Sequence, residues 1–187
     1  MPAAERRKLI EETATALFAE RGYAATTIDD IVSNAGVTKP MLYRHFESKQ
    51  ELVMLLLERH RDALAAAPLD ALLSTSTRPF PERLDAMLEA WFNYVQAHPF
   101  VRLLLHEASG DPTVAELVTE LHGRQRAADV ALLREFAPHI PEPELEPLGE
   151  AIRSTLSGLA LFLMDNPDTD RATVIAAVRR IILGLIA

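Results

Sequence analysis

Residues 26–49 read TTIDDIVSNAGVTKPMLYRHFESK, and this stretch decides the fold. Ile28, Ile31 and Val32 recur at helical spacing, as do Leu42 and Phe46, so the spacing predicts two short helices that each turn an apolar face inward. Ala35-Gly36-Val37 lies between them: glycine accepts the positive φ of a tight helix-to-helix turn, Ala35 is small enough for close approach, and Val37 plugs the gap beneath. Thr27 followed by Asp30 resembles a capping box with Asp in place of Glu. Thr38 offers a cap for the second helix, Pro40 is tolerated in its first turn, and Ser48-Lys49-Gln50-Glu51 is a full capping box that opens a third helix. The whole is the layout of a helix-turn-helix over about residues 27–46, which points to DNA. Because a recognition helix enters the major groove amino end first, Thr38, Lys39, Pro40 and Met41 would face base edges, with Tyr43 and Arg44 one turn further along. Lys39 can donate to guanine O6 and N7, and Thr38 and Pro40 offer carbon contacts to a thymine methyl. Two plainer readings compete: ordinary exposed polar residues on a small helical bundle, and a Tyr43 half-buried against the first helix.

The run from Thr27 to Leu52, T-x-D-D-I-V-x-x-A-G-V-T-K-P-M-L-Y-R-H-F-E-S-K-Q-E-L, resembles the DNA-binding domain of the tetracycline-repressor (TetR) family of bacterial regulators. The preceding Ile10, Ala14, Leu17, Phe18, Gly22 and Tyr23 resemble that family's first helix. The likeness covers roughly residues 5–55 and fades past about residue 60. It implies phosphate contacts at Tyr43, His45 and Lys49 and at the helix start Thr26-Thr27. Hydroxyls, a cationic imidazole and the amino end of a helix are suited to that task. Lys49 falls at the first position of its helix, adding a charge to a dipole end. Arg6, Arg7 and Lys8 would add phosphate or minor-groove contacts from a short N-terminal arm.

Composition places limits on the rest. The 187 residues are 49% apolar with 7 Gly, enough for one large or two small all-α domains, and no cysteine is available for disulfide or thiolate chemistry. Met1 to Arg7 is polar and no short apolar core with a cleavage site follows; no apolar run reaches the ~18 residues of a membrane span. A cytoplasmic protein without membrane contact is therefore expected. The net charge of −8 is unevenly divided. Residues 1–61 hold 9 Lys/Arg and 9 Asp/Glu, while 62–187 hold 10 and 18. The reading places a DNA-binding domain at 1–61 and a helical sensing and dimerisation domain at 62–187, about nine helices in total, the acidic body helping to orient the molecule on DNA.

In the body, helical patterns recur over 48–67, 81–97, 99–108, 112–137, 144–164 and 170–185. Pro68, the segment 74–79, and the Asp-Pro, Pro-rich and Asn-Pro stretches serve as punctuation. Two apolar stripes, Leu148, Ile152, Leu156, Leu159 and Leu163, then Val174, Val178, Ile181, Ile182 and Leu185, predict a dimer interface, burial within one subunit being the alternative. Resemblance favours the dimer, since TetR members pair through their last two long helices, which implies a homodimer on a palindromic operator with half-sites ~34–36 Å per turn apart. Met87, Trp91, Phe92, Tyr94, Phe100, Leu103, His106 and Glu107 concentrate the aromatic and adjoining groups; they predict a pocket for a small hydrophobic or amphipathic effector, or else a plain aromatic core. No cofactor is expected. His98, His106, Glu107, His122 and His139 lack metal-ligand spacing, and neither a nucleophile elbow nor a phosphate-binding glycine loop is present, so catalysis is not expected. A regulator without a small-molecule ligand, controlled by another protein or acting as an activator, would carry an identical head.

Overall fold

The computed structural model describes residues 2–105 and 112–186, except the side chains of Thr113 and Arg124. Among the described residues the fold is all-α. Nine helices follow in order: α1 Ala3–Arg21, α2 Ile28–Ala35, α3 Lys39–Tyr43, α4 Lys49–Ser74, α5 Phe80–Ala97, α6 Arg102–Leu105, α7 Pro112–Phe136, α8 Glu142–Asp165 and α9 Arg171–Leu185, with a single 3-10 turn at Pro99–Val101 before α6. Two compact units result, Met1–Arg61 with Phe100–Glu120, and Asp62–Pro99 with Leu121–Ala187. The first unit thus takes in the segment 100–120 as well as residues 1–61.

In the first unit the core is built from single faces. α1 buries Ile10, Ala14, Leu17 and Phe18, α2 buries Ile31, Val32 and Ala35, α3 buries Leu42, and α4 opens with buried Leu52, Val53, Leu56 and Leu57. Phe100 joins this core, its ring 6.3 Å from Phe18 and 5.0 Å from His60. The reason is volume: Phe100, Val101 and Leu104 are all buried, and removing such side chains from water contributes roughly 1.5–3 kcal/mol each.

In the second unit α5, α8 and α9 pack on one another. Leu84, Leu88, Phe92 and Val95 form the buried stripe of α5, and Val174, Ile175, Val178 and Ile182 that of α9. Charged pairs line the α5–α9 seam: Arg171 donates to Glu89 at 2.8 Å, Gln96 at 3.0 Å and Asn93, and Arg179 lies 2.7 Å from Asp85.

One expected break is absent: α4 continues through Pro68 to Ser74. α8 begins at Glu142, slightly before the expected 144, and carries Pro147 within it as the expected span does. Pro68 is buried, as is Leu72 one turn later, so burial on that face offsets the lost backbone hydrogen bond. Pro147, the sixth residue of α8, lies just past the first turn, so its missing amide removes one backbone hydrogen bond near the start of the helix.

Candidate DNA-binding face

The reading head is assembled by its turns. Thr27 caps α2: its hydroxyl accepts from the Asp30 amide at 3.1 Å, while the Asp30 carboxylate accepts the Thr27 N–H at 2.8 Å and its hydroxyl at 2.6 Å, a reciprocal box that holds the Asp30 carboxyl below its usual pKa. Gly36 ends α2 in the left-handed region, φ 62° and ψ 33°. The Val37 amide reaches back to the Val32 carbonyl at 3.0 Å and the Gly36 amide to Ser33 at 3.4 Å, the paired bonds of a Schellman end. Thr38 then takes an extended conformation and its carbonyl accepts from Met41 at 2.9 Å and Leu42 at 3.1 Å, starting α3 with Pro40 in its first turn. The Thr38 hydroxyl makes no capping bond, contrary to expectation, which leaves it on the outer face.

That outer face carries most of the residues nominated for DNA. Thr27, Thr38, Lys39, Pro40 and Arg44 are exposed, Met41 and His45 partly so, and Tyr43 is 50% exposed. Leu42 and Phe46, between and beyond them, are buried and fix the helix in place. Asp29, which the sequence reading passed over, joins the face: its carboxylate lies 2.9 Å from the Lys39 ammonium. Its signal was its place one residue before the Asp30 cap, on the solvent side of an amphipathic turn.

Three nominated groups are corrected. Thr26 is fully buried, its hydroxyl donating to the carbonyls of Gly22 at 2.8 Å and Leu17 at 3.3 Å, so it closes the α1–α2 connection and presents nothing outward. Lys49 does begin α4, but its ammonium donates to the carbonyls of Tyr23 at 2.9 Å and Thr26 at 3.0 Å and lies 4.1 Å from the centre of the Tyr23 ring. It is a latch between α4 and the α1–α2 connection, not a free cation. No N-terminal arm extends over Arg6 to Lys8, because α1 starts at Ala3. Arg7 is spent on Glu11 at 2.9 Å and on the face of Phe46, and Lys8 on Glu12 at 3.6 Å. Glu11, only 8% exposed, also accepts from Arg59 at 2.7 Å and so ties α1 to α4.

Elsewhere the expected groupings divide. Within α5, Phe92 belongs to the buried stripe, whereas Met87, Trp91 and Tyr94, at i, i+4 and i+7, form a second, partly covered stripe. Trp91 meets Phe92 edge-on at 5.0 Å, Tyr94 stacks on His98 at 4.0 Å, and burial pushes the Tyr94 hydroxyl pKa up. Phe100 is buried in the first unit and Leu103 is partly exposed there; His106 and Glu107 lie outside the described residues. Of the expected interface, Leu163, Val178 and Ile182 are buried within the chain itself, on the faces where α8 and α9 pack. Ile152, Leu156 and Leu159 are partly exposed, and Ile181 and Leu185 remain 43% and 41% exposed, joined by Phe162 at 45%, which the stripe reading missed although it follows Leu159 by three. Among the described residues no three His, Asp or Glu gather to hold a metal ion, and no helix is long and apolar enough to cross a membrane.

Comparison with known proteins agrees with this geometry. Residues 10–55 match the family of bacterial regulatory proteins of the tetR type, and residues 79–185 match a tetracyclin repressor-like C-terminal domain. The chain is 41% identical over 96 residues to the transcriptional activator FasR of Mycolicibacterium smegmatis, covering 51% of this chain and 43% of that one. It is 43% identical over 93 residues to the transcriptional repressor KstR2 of Mycobacterium tuberculosis, covering 50% and 46%. These stretches span less than half the length of the curated relatives. Over nearly the whole chain the fold is similar to a tetR-family regulator from Streptomyces coelicolor, with TM-score 0.77, 25% identity and coverage of 99% and 82%. It is also similar to the ketosteroid regulator KstR2 of M. tuberculosis, with TM-score 0.65, 26% identity and coverage of 97% and 93%. A helix-turn-helix head built on these turns, carried by a chain matched at both ends, thus belongs to the TetR family of transcriptional regulators.

Proposed function

We propose that this chain acts as a ligand-responsive repressor: a homodimer that binds a palindromic DNA site and is released by a small hydrophobic or amphipathic effector. The observation that carries the reading is the outer face of α3, where Thr38, Lys39, Pro40, Met41, Tyr43 and Arg44 project from a helix fixed by buried Leu42 and Phe46. Lys39 reads guanine, Thr38 and Pro40 meet a thymine methyl, and Thr27, Tyr43 and His45 take phosphates. The partly exposed Ile152, Leu156 and Leu159, with Phe162, Ile181 and Leu185, supply an apolar surface for the second copy. Met87, Trp91 and Tyr94 supply one wall for the effector: two aromatic planes and a thioether with a single hydroxyl suit a largely apolar ligand. That the similar KstR2 of M. tuberculosis is a ketosteroid transcriptional regulator supports the same ligand class.

Effector binding that favours a conformation unable to place both heads on one operator would weaken binding by ~5–150-fold for a coupling of ~1–3 kcal/mol. A second reading has its own support, because the relative from M. smegmatis is named an activator; the same head then acts from a site placed differently relative to the promoter. The deciding experiment is selection of genomic DNA fragments by the purified protein at moderate salt, repeated with Lys39→Ala and Tyr43→Ala. One palindromic sequence, recovered by wild type and lost in both variants, is the expected result. Equal enrichment by the variants would remove α3 from the reading of DNA. The position of the site relative to its promoter separates repressor from activator, and titration of Trp91 fluorescence with a sterol-like and a fatty-acyl probe tests the effector wall.

A further inference from the structure

The cation best placed to read a base is already partnered. Lys39 stands at the first position of α3 and is 50% exposed, yet its ammonium lies 2.9 Å from the carboxylate of Asp29, a residue of α2's first turn that is itself 72% exposed. Both groups could extend into solvent separately. The carboxylate also holds the Lys39 pKa above its ordinary value, through the hydrogen bond first and its charge second. A free lysine beside DNA is drawn to the nearest phosphate whatever the sequence, and such contacts supply most of the affinity for the wrong sites. A lysine held by a carboxylate gives up part of that attraction. It recovers the loss only where a guanine edge offers two acceptors in a fixed direction.

We propose that Asp29 is a positioning residue for DNA reading: it restrains the Lys39 ammonium and lowers affinity for non-cognate DNA more than for the operator, so that specificity rises at the expense of raw affinity. This rests on the assignment of Lys39 as a base-reading residue. It also fits the balance of charge over residues 1–61, where 9 cations face 9 anions.

The test measures binding to two 30-base-pair duplexes, one enriched from a random library by the wild-type protein and one with its sequence scrambled, across a range of salt concentrations. Asp29→Asn is expected to bind the scrambled duplex roughly 2–5-fold more tightly at low salt, in line with release of an exposed ion pair. Its salt dependence should steepen by up to about 0.9 in log–log slope, one additional phosphate contact. The ratio between the two duplexes should fall by a similar ~2–5-fold. Asp29→Glu, which keeps a carboxylate within reach, restores the wild-type ratio, and in a Lys39→Ala background the Asp29→Asn change has no effect on it. Unchanged slope and ratio in Asp29→Asn would overturn the proposal, and so would an equal gain in the Lys39→Ala background, which would make Asp29 a simple repellent of phosphate. If Lys39→Ala alone leaves the enriched duplex bound as before, the base-reading assignment itself fails, a result distinct from both.

Discussion

Lys39 and Lys49 each open a helix of the head, and their neighbours give them different work. Both are visible in the sequence as cations at helix starts. What no local pattern contains is that Tyr23 and Thr26, more than twenty residues earlier, turn their carbonyls toward Lys49. Replacing Lys49 by Met should therefore lower the stability of the head by about 1–2 kcal/mol, since two carbonyls lose a charged donor; urea denaturation measures it, and an unchanged midpoint would show the latch to be idle. Glu11 has an analogous history, its partners Arg7 and Arg59 lying four and forty-eight residues away. Burial pushes its carboxyl up, and the hydrogen bonds and charges of Arg59 and Arg7 more than reverse this, so its folded-state pKa lies below the usual carboxylate value. On acidification the unfolded chain takes the proton first. The stability this group contributes is complete above about pH 4.3 and disappears as pH falls through the lower folded-state pKa. Denaturation curves of wild type and Glu11→Gln should thus differ at pH 6 and converge toward pH 3; a constant difference would exclude the mechanism.

Among the elements, the turn between α2 and α3 sets the exit of the recognition helix, and it was legible because its requirements are local. A positive φ calls for glycine, a helix start calls for a hydroxyl or carboxylate, and Gly36, Thr27 and Ser48 stand where those rules ask. Apart from its chain neighbours nothing lies within 4 Å of where a Cβ on Gly36 would stand, so Gly36→Ala meets open space and carries chiefly the cost of its φ, roughly 1–2 kcal/mol. Thermal denaturation should register that loss, and DNA affinity should drop with it as α3 loses its fixed exit from α2; a variant as stable as wild type would mean that the turn relaxes. The misread break at Pro68 marks the limit of local rules. A proline's penalty is written in its own residue, whereas the compensation at Pro68 comes from the covered face it shares with Leu72. The same limit explains the α8 and α9 stripes. Periodicity showed that both helices have apolar faces, but Val178 and Ile182 fill a face that α5 and α8 already cover, while Ile181 and Leu185 occupy the one left open.

For the molecule as a whole, the proposed pairing with a second copy rests on that open face. Phe162→Asp combined with Ile181→Asp alters exposed positions only, so each chain should stay folded while sedimentation reports a monomer and operator affinity drops steeply as one head is left to bind alone; a dimer surviving both changes would move the interface elsewhere. The division of labour along the chain was legible from charge and from the fading of the head's pattern near residue 60. The return of residues 100–120 to the first unit was not, because it depends on Phe100 meeting Phe18 and His60. That meeting bears on how such regulators could be recombined. A chimaera cut at residue 61 and fused to a foreign sensor would carry Phe18 away from the ring that covers it, and would expose apolar surface unless the new body happened to supply an aromatic at the equivalent turn. Exchange of specificities between family members should then succeed most often when the donor fragment comes in two pieces, the reading helices and the short stretch around Phe100, transplanted together.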